Sequence, residues 1–238
     1  MDLSLDEPPS VFDSHGDTYA AISRTSPFNR DYDRPTILAL AGDIAGRRVL
    51  ELGCAAGGLT AQLVASGADV IAVDREPHMI ELARQWVGEQ AQFRVVDLDQ
   101  PDFDIHPGSI DVVVASLVLH YVKDWTPLLH CLSESLAPGG SFVFSLHHPI
   151  TGWLLSNRDD YHRVELVSET WNWDAAAVTA RIYRRPLSTI FGPLREAGFS
   201  IDVVDEPRIQ PSADISADDL HTINTQPLFL FIRAIRDA

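Results

Sequence analysis

A single lysine, Lys123, stands in a chain of 238 residues, and 18 basic side chains face 34 acidic ones, for a formal charge of −16. Neutralising a phosphate backbone takes clustered Lys and Arg, so this balance argues against nucleic acid as a partner. Cysteine is equally scarce. Cys54 and Cys131 lie far apart in apolar segments, which implies neither a disulfide framework nor a metal cluster, and both read as buried thiols. No apolar run approaches the roughly 20 residues that span a bilayer. The acidic stretch Met1 to Glu7 lacks the basic and apolar regions of a signal peptide. The expectation is a soluble, cytoplasmic protein with no membrane partner, whose excess negative charge repels anionic lipid. Internal repeats and low-complexity tracts are absent too.

What is present is an ordinary globular composition, 45% hydrophobic, enough to fill the core of a single domain. From Arg48 onward, short β-branched runs alternate with helical patterns. Val49 to Gly53, Asp69 to Asp74, Gln92 to Val96, Ile110 to Ser116 and Ser141 to Leu146 read as buried strands. Gly58 to Ser66, Pro77 to Gly88 and Asp124 to Leu136 carry apolar residues at helical spacing, with Pro77 in a first turn and Pro138-Gly139-Gly140 as a stop. Alternation of this kind predicts βαβ units and a parallel sheet covered on both faces. In the tail, a helix over Pro186 to Ala197 precedes strands at Phe199 to Val204 and Leu228 to Ile235, joined by a polar loop with Pro207 and Pro211. Two strands joined by a loop close antiparallel, because a parallel pair needs a crossover.

Two segments fall outside this alternation. Residues 1–37 are polar, contain Pro8, Pro9, Pro27 and Pro35, and read as a short helical or irregular arm. Residues 147–185 carry Trp153, Tyr161, Trp171, Trp173 and Tyr183 among charges, with strand-like alternation at Arg163 to Val167 and Val178 to Tyr183. An excursion of that length inside a compact domain suits a lid over a binding site. The single domain thus divides into an arm (1–37), a ligand-binding core (38–146), a lid insertion (147–185) and a closing helix with strands (186–238).

The most informative run is Val49-Leu50-Glu51-Leu52-Gly53-Cys54-Ala55-Ala56-Gly57-Gly58-Leu59-Thr60. Small residues between a strand and a helix let the backbone turn tightly and approach a ligand closely. Ala55 stands where a dinucleotide fingerprint requires glycine, and no Gly-Lys-Ser/Thr follows, so neither a dinucleotide site nor a phosphate loop is indicated. Asp74 closes the second strand, where a carboxylate can accept from ribose hydroxyls. Asp97, in Val95-Val96-Asp97-Leu98, closes the third, where it can accept from an exocyclic amine while Leu98 packs on a base.

The ordered set Val49 to Thr60, Val73-Asp74, Val96-Asp97-Leu98, Asp111 to Asp124 and Leu136-Ala137-Pro138-Gly139-Gly140 resembles the class I S-adenosylmethionine-dependent methyltransferases, and within them the small-molecule type 11 group. The resemblance covers nearly everything from Arg47 onward. It implies an α/β, Rossmann-like sheet of seven strands in the order 3-2-1-4-5-7-6 with the last antiparallel, and S-adenosyl-L-methionine as cofactor. Carried across, it makes Glu51, Gly53 and Gly57, with Cys54 and Ala55 between them, the loop holding the methionine part. Asp74 takes the ribose, Arg75 and Met79 flank the adenine, and Asp97 with Leu98 meets its amino edge. Ser116 and Leu117 supply backbone near the sulfonium, with Tyr121 close by. The arm also resembles this family, in which such a segment folds over the cofactor, so that Tyr32 and Arg34 reach the methionine carboxylate. Ala55 departs from the family's usual glycine, which is tolerable where the backbone is not left-handed.

Methyl transfer from a sulfonium is an in-line displacement, and a base serves acceptors that carry a proton. Histidine suits that role near neutral pH. The candidates are His120, which in the family commonly supports its loop, and the pair His147-His148 after the fifth strand. Neighbours on an extended chain point opposite ways, so one of the pair faces the site, and His147 is preferred because Pro149 redirects the chain at His148. His148, Trp153, Trp171, Trp173 and Tyr183 are the expected lining for a small-molecule acceptor. Two other readings stand beside this one, a nicotinamide-dependent oxidoreductase on the same type of sheet and a protein that binds S-adenosylmethionine without transferring its methyl group.

Overall fold

The computed structural model describes residues 11–173, 176–212 and 214–237. Seven strands form one sheet, β1 (Arg48–Leu52), β2 (Asp69–Asp74), β3 (Ala91–Val95), β4 (Ile110–Ala115), β5 (Leu136–His147), β8 (Phe199–Asp205) and β9 (Phe229–Arg236), in the order β3-β2-β1-β4-β5-β9-β8. The first five run parallel, and β9 lies antiparallel to both β5 and β8. This is the architecture that the resemblance implies. A separate hairpin pairs β6 (Glu165–Trp173) with β7 (Ala176–Arg184).

The helices are α1 (Val11–Thr25), α2 (Arg34–Ala41), α3 (Gly58–Ala65), α4 (Pro77–Val87), α5 (Thr126–Ser135), α6 (Pro149–Leu155), α7 (Ser188–Glu196) and α8 (Ala217–Thr225). Strand alternation divides their packing between the two sheet faces. Leu50, Leu52, Val113, Phe142 and Phe144 pack with Leu128 and Leu132 of α5 and Leu194 of α7. Val49, Val70, Val112, Val114 and Phe231 pack on the other face with Ile37 of α2, Leu63 of α3 and Ile80 of α4. The strand interiors are apolar on both sides, as a doubly covered sheet demands.

Of the helical and irregular readings of the arm, the helical one holds: α1 is followed by a π-helical turn, Phe28–Asp33, that runs directly into α2 and carries the helical segment to Ala41. Three expectations are corrected. The polar tail contains α8, capped by Ser216, whose hydroxyl accepts from the Asp219 amide at 3.0 Å. Helix α5 stops at Ser135, and strand pairing already begins at Leu136, so Pro138-Gly139-Gly140 lies inside β5 rather than at a helix end. Cys54 is buried, but Cys131 is only half-buried. Among the described residues, no helix is long and apolar enough to cross a membrane, and no group of three or more His, Cys, Asp and Glu side chains is disposed to hold a metal.

Candidate active site

The loops leaving β1 to β5 meet at one edge of the sheet, and the strand order reverses between β1 and β4, the crevice where open α/β sheets bind ligands. The β1 loop is tied to β2 by Cys54 N–H donating to the Val73 carbonyl at 2.9 Å. Gly53 and Gly57 take left-handed φ values of +66° and +85°. Ala55 between them is also left-handed, at φ +46°. The condition that would have made this alanine innocuous therefore fails, and its Cβ carries strain of about 1 kcal/mol. The strain is held by Asp74, whose Oδ2 accepts from Ala55 N–H at 2.8 Å while Oδ1 accepts from Glu76 N–H at 3.0 Å. Leu117, after β4, is likewise left-handed at φ +49°. Paired strained positions at one edge are characteristic of ligand-binding turns.

Buried charge concentrates beneath this loop. Glu51 accepts a 2.6 Å hydrogen bond from the Thr60 hydroxyl, and burial holds its carboxyl up at about 7 against the lowering influence of Arg34. Burial likewise raises Asp74 and sends the Cys54 thiol well above its usual range. Arg34 lies over the start of α3: a Cβ added at Gly58 would stand 2.5 Å from its guanidinium. That guanidinium donates to the Ser23 carbonyl at 2.9 Å, so it bridges α1 and the loop.

Helix α1 closes the edge from above. Arg24 stacks on Trp86 of α4 at 4.1 Å, His78 meets Asp17 at 3.1 Å, and Ala20 packs with Met79 and Ala56. Tyr19 on the same helix faces Arg34, Asp74 and Asp33, and burial pushes its phenol up to about 12.

The sequence-expected residues divide into those the fold assembles and those it disperses. Arg34, Glu51, Gly53, Cys54, Ala55, Gly57 and Asp74 converge. Ser116 and Leu117 lie beside them at the end of β4. Met79 is buried under α1, while Arg75 is exposed and pairs loosely with Glu76 at 3.5 Å. Asp97 caps its own loop by accepting from Asp99 N–H at 3.0 Å, and Leu98 gives most of its side chain to the core. Tyr32 is turned away: its ring stacks on Phe229 at 5.5 Å and meets Phe231 edge-on at 5.3 Å, and its phenol faces Glu206 and Asp205. Such aromatic packing is worth about 1 kcal/mol beyond area burial, which explains why this ring joins the core.

His147 and His120 come together, ring centroids 4.4 Å apart, with Tyr121 at the same distance from His120. His120 is 2% exposed, and its Nδ1 is sealed from solvent without a hydrogen bond. Burial, reinforced by His147 and Arg185, keeps that ring neutral far into the acid range. His147 stacks on Phe229, and its Nδ1 stands 3.4 Å from Glu169 Oε2. Burial lowers its pKa, and Glu169 opposes the shift. His148 is directed elsewhere. Its Nδ1 accepts from Ile150 N–H at 3.1 Å, capping α6, and Nε2 meets Glu206 at 3.0 Å, so it leaves the expected acceptor lining.

The inserted segment, residues 147–185, contains α6 and the hairpin. In β6 and β7 the pairs Val167–Ile182, Glu169–Ala180 and Trp171–Val178 share one face, on which Val178, Ala180 and Ile182 are buried. Tyr183 pairs with Leu166 on the opposite face and so does not join Trp171. Trp153 meets Tyr161 edge-on at 6.4 Å, with its Nε1 sealed and without a hydrogen bond. The side chain of Trp173 lies outside the described residues. Arg184 fastens the start of the hairpin to the preceding loop by donating to Glu165 and to the carbonyls of Asp160, Tyr161 and Arg163.

Sequence reasoning missed Glu169 and Asp33. The strand-like alternation at Arg163 to Val167 continues two residues further and puts Glu169 on the face of Val167, a signal that was available. Asp33 gave none: only the fold shows both its oxygens bound by the hydroxyls of Ser116 and Ser145.

A methyltransferase domain family matches residues 27–205, most of the chain. An uncharacterised protein of Haemophilus influenzae is 27% identical over 87% of both chains. The ubiquinone biosynthesis O-methyltransferase of Xanthomonas euvesicatoria is 33% identical, over 43% of this chain and 44% of its own length, so the match spans less than half of that enzyme. Among solved structures, an S-adenosylmethionine-dependent methyltransferase from Mesorhizobium loti superposes with a TM-score of 0.69 at 25% identity, covering 85% of this chain and 96% of its own. With the sheet order and the glycine-rich β1 loop, these findings place the chain in the class I S-adenosylmethionine-dependent methyltransferase family. Nicotinamide-dependent oxidation is thereby set aside.

Proposed function

We propose that the chain methylates a small molecule that carries a proton at the acceptor atom, such as a phenolic hydroxyl, with His147 as the base. The residues fit the cofactor at the sheet edge: Arg34 for its carboxylate, Glu51 and the β1 loop for its ammonium end, and Asp74 for its ribose. S-adenosylmethionine, when bound there, supplies an electrophilic methyl group on a sulfonium. Asp97 and Met79 flank the nucleoside end of this path in the same reading.

The observation that carries the proposal is the pair of His147 and Glu169, both partly exposed, beside the buried ring of His120. His147 is neutral when it meets the acceptor, because burial lowers its pKa, and Glu169 orients the ring and stabilises the proton it gains. The acceptor's electron pair forms the new bond to carbon, the carbon–sulfur pair stays on sulfur, and the acceptor proton goes to the ring nitrogen of His147 remote from Glu169. His120, held neutral, and Tyr121 exclude water from the same space. The cover of α1 and hairpin favours a small acceptor over a polymer strand, and the excess negative charge argues in the same direction. The partial likeness to ubiquinone biosynthesis O-methyltransferases supports oxygen as the acceptor atom.

The test is incubation with methyl-labelled S-adenosylmethionine and a metabolite extract. Label should enter a low-molecular-mass product with the wild type and fail to do so with His147→Ala. Label in a nucleic acid or protein fraction, or equal labelling by H147A, overturns the proposal.

A further inference from the structure

Asp33 is fully buried at the junction of the π-helical turn and α2. Its Oδ2 accepts from the Ser116 hydroxyl and its Oδ1 from the Ser145 hydroxyl. These serines close neighbouring strands, since Ala115 pairs with Phe144. Ser145 also accepts from Leu117 N–H at 3.0 Å, so one carboxylate holds the left-handed turn after β4 in place. His147 lies two residues beyond Ser145 on the same side of β5. Asp33 therefore ties the arm to the β4 turn and to the strand that ends at His147.

Both hydrogen-bond donors to Asp33 are neutral. Among the described residues, no ion pair includes it, and Arg34, its basic neighbour, is shared with Glu51 and directed to the Ser23 carbonyl. A buried carboxylate with no cation in hydrogen-bond contact is costly, and burial accordingly lifts this one to about 6 despite its two hydroxyls and the opposing charge of Arg34. An arriving cation would relieve that cost. The cofactor offers one at its sulfonium, and loses it when the methyl group leaves and the sulfur becomes a neutral thioether.

We infer that Asp33 is the counter-charge to the sulfonium and sets this site's preference for cationic S-adenosylmethionine over neutral S-adenosylhomocysteine. The inference rests on the proposed placement of the cofactor along this edge. Because the attraction is present before transfer and absent after it, it strengthens cofactor binding without tightening the hold on the product and without accelerating the chemical step.

The test is calorimetric binding of both compounds to the wild type, Asp33→Asn and Asp33→Glu. The wild type should bind S-adenosylmethionine more tightly than S-adenosylhomocysteine. D33N should lose about tenfold for the former and less than about twofold for the latter, and D33E should recover the preference. Equal weakening for both compounds, or none, overturns the inference while leaving the placement intact. A wild type that binds neither compound overturns both. Should D33N fail to fold, the wild type still decides: sinefungin, with an amine in place of the sulfonium, should bind more tightly than S-adenosylhomocysteine, and equal affinity would overturn the inference.

Discussion

The loops at the ends of β1 to β5 and the cover made of α1, the 28–33 turn and the β6–β7 hairpin face one another across the same site, yet they are specified in different ways. At the sheet edge, each residue's position follows from its immediate neighbours in the chain. Gly53 and Gly57 take φ values that favour glycine, and Asp74 must lie one residue past Val73, whose carbonyl fixes Cys54. In the cover, position is set by long-range packing. Glu169 reaches His147 because the hairpin folds back over the turn at Leu119–Tyr121, and Asp33 reaches Ser145 across 112 positions of sequence. The edge carries the loop that the family's cofactor chemistry uses and, at the end of β5, His147, the proposed base, whereas the cover brings up its proposed partners, Glu169 from the hairpin and Asp33 from the 28–33 turn.

Two substitutions break the comparison most sharply. His147→Ala should lower kcat by about 10²–10⁴-fold, the range for a positioned base, with the Kd for S-adenosylmethionine unchanged. Asp74→Asn should do the reverse, weakening cofactor binding about 10–100-fold through loss of charge-assisted hydrogen bonds. Calorimetry and initial rates on the pair separate cofactor binding at the β2 end of the edge from proton removal at the β5 end, where the cover's Glu169 acts, and a shared defect in both variants would erase the distinction.

A smaller effect is expected of Glu169→Gln. It removes the carboxylate that opposes the burial shift of His147, so the acid limb of the kcat–pH profile should move to lower pH while kcat falls about tenfold. An unchanged profile would detach Glu169 from the base.

One buried acid of the edge and one of the cover together make a prediction about stability. The folded-state pKa values of Glu51 and Asp33 lie above their ordinary values of 4.5 and 3.8, at about 7 and about 6. Between those limits the native state binds more protons than the unfolded chain. These groups therefore contribute stability that is fully present below about pH 4 and is lost as pH rises through 6 and 7. The cofactor-free protein should melt at a lower temperature at pH 8 than at pH 5, other groups aside, and Glu51→Gln should flatten that dependence. The smallest change is Ala55→Gly. Relief of the left-handed φ outweighs the added freedom of the unfolded chain, for a gain of about 0.5 kcal/mol, read as a slightly higher Tm.

The same contrast explains what was legible in the sequence. Strand periodicity gave the sheet, and the acids at strand ends gave the edge, because both are local patterns. The orientation of Tyr32 was not legible, since nothing near it in the chain announces Phe229 and Phe231. Nor was the turning of His148 to Glu206. The side of the hairpin taken by Tyr183 follows from register, which depends on where the turn falls. Helix α8 escaped because it buries little beyond Ile223 and shows no apolar stripe, although Ser216 three residues before Asp219 is a capping pattern.

The account is tested most directly by a crystal structure of the chain with S-adenosylhomocysteine. It predicts the ribose hydroxyls on Asp74, the carboxylate on Arg34 and the sulfur between Ser116 and the His147 ring. A nucleoside bound away from Asp74, or a sulfur separated from His147 by the body of the sheet, would contradict it.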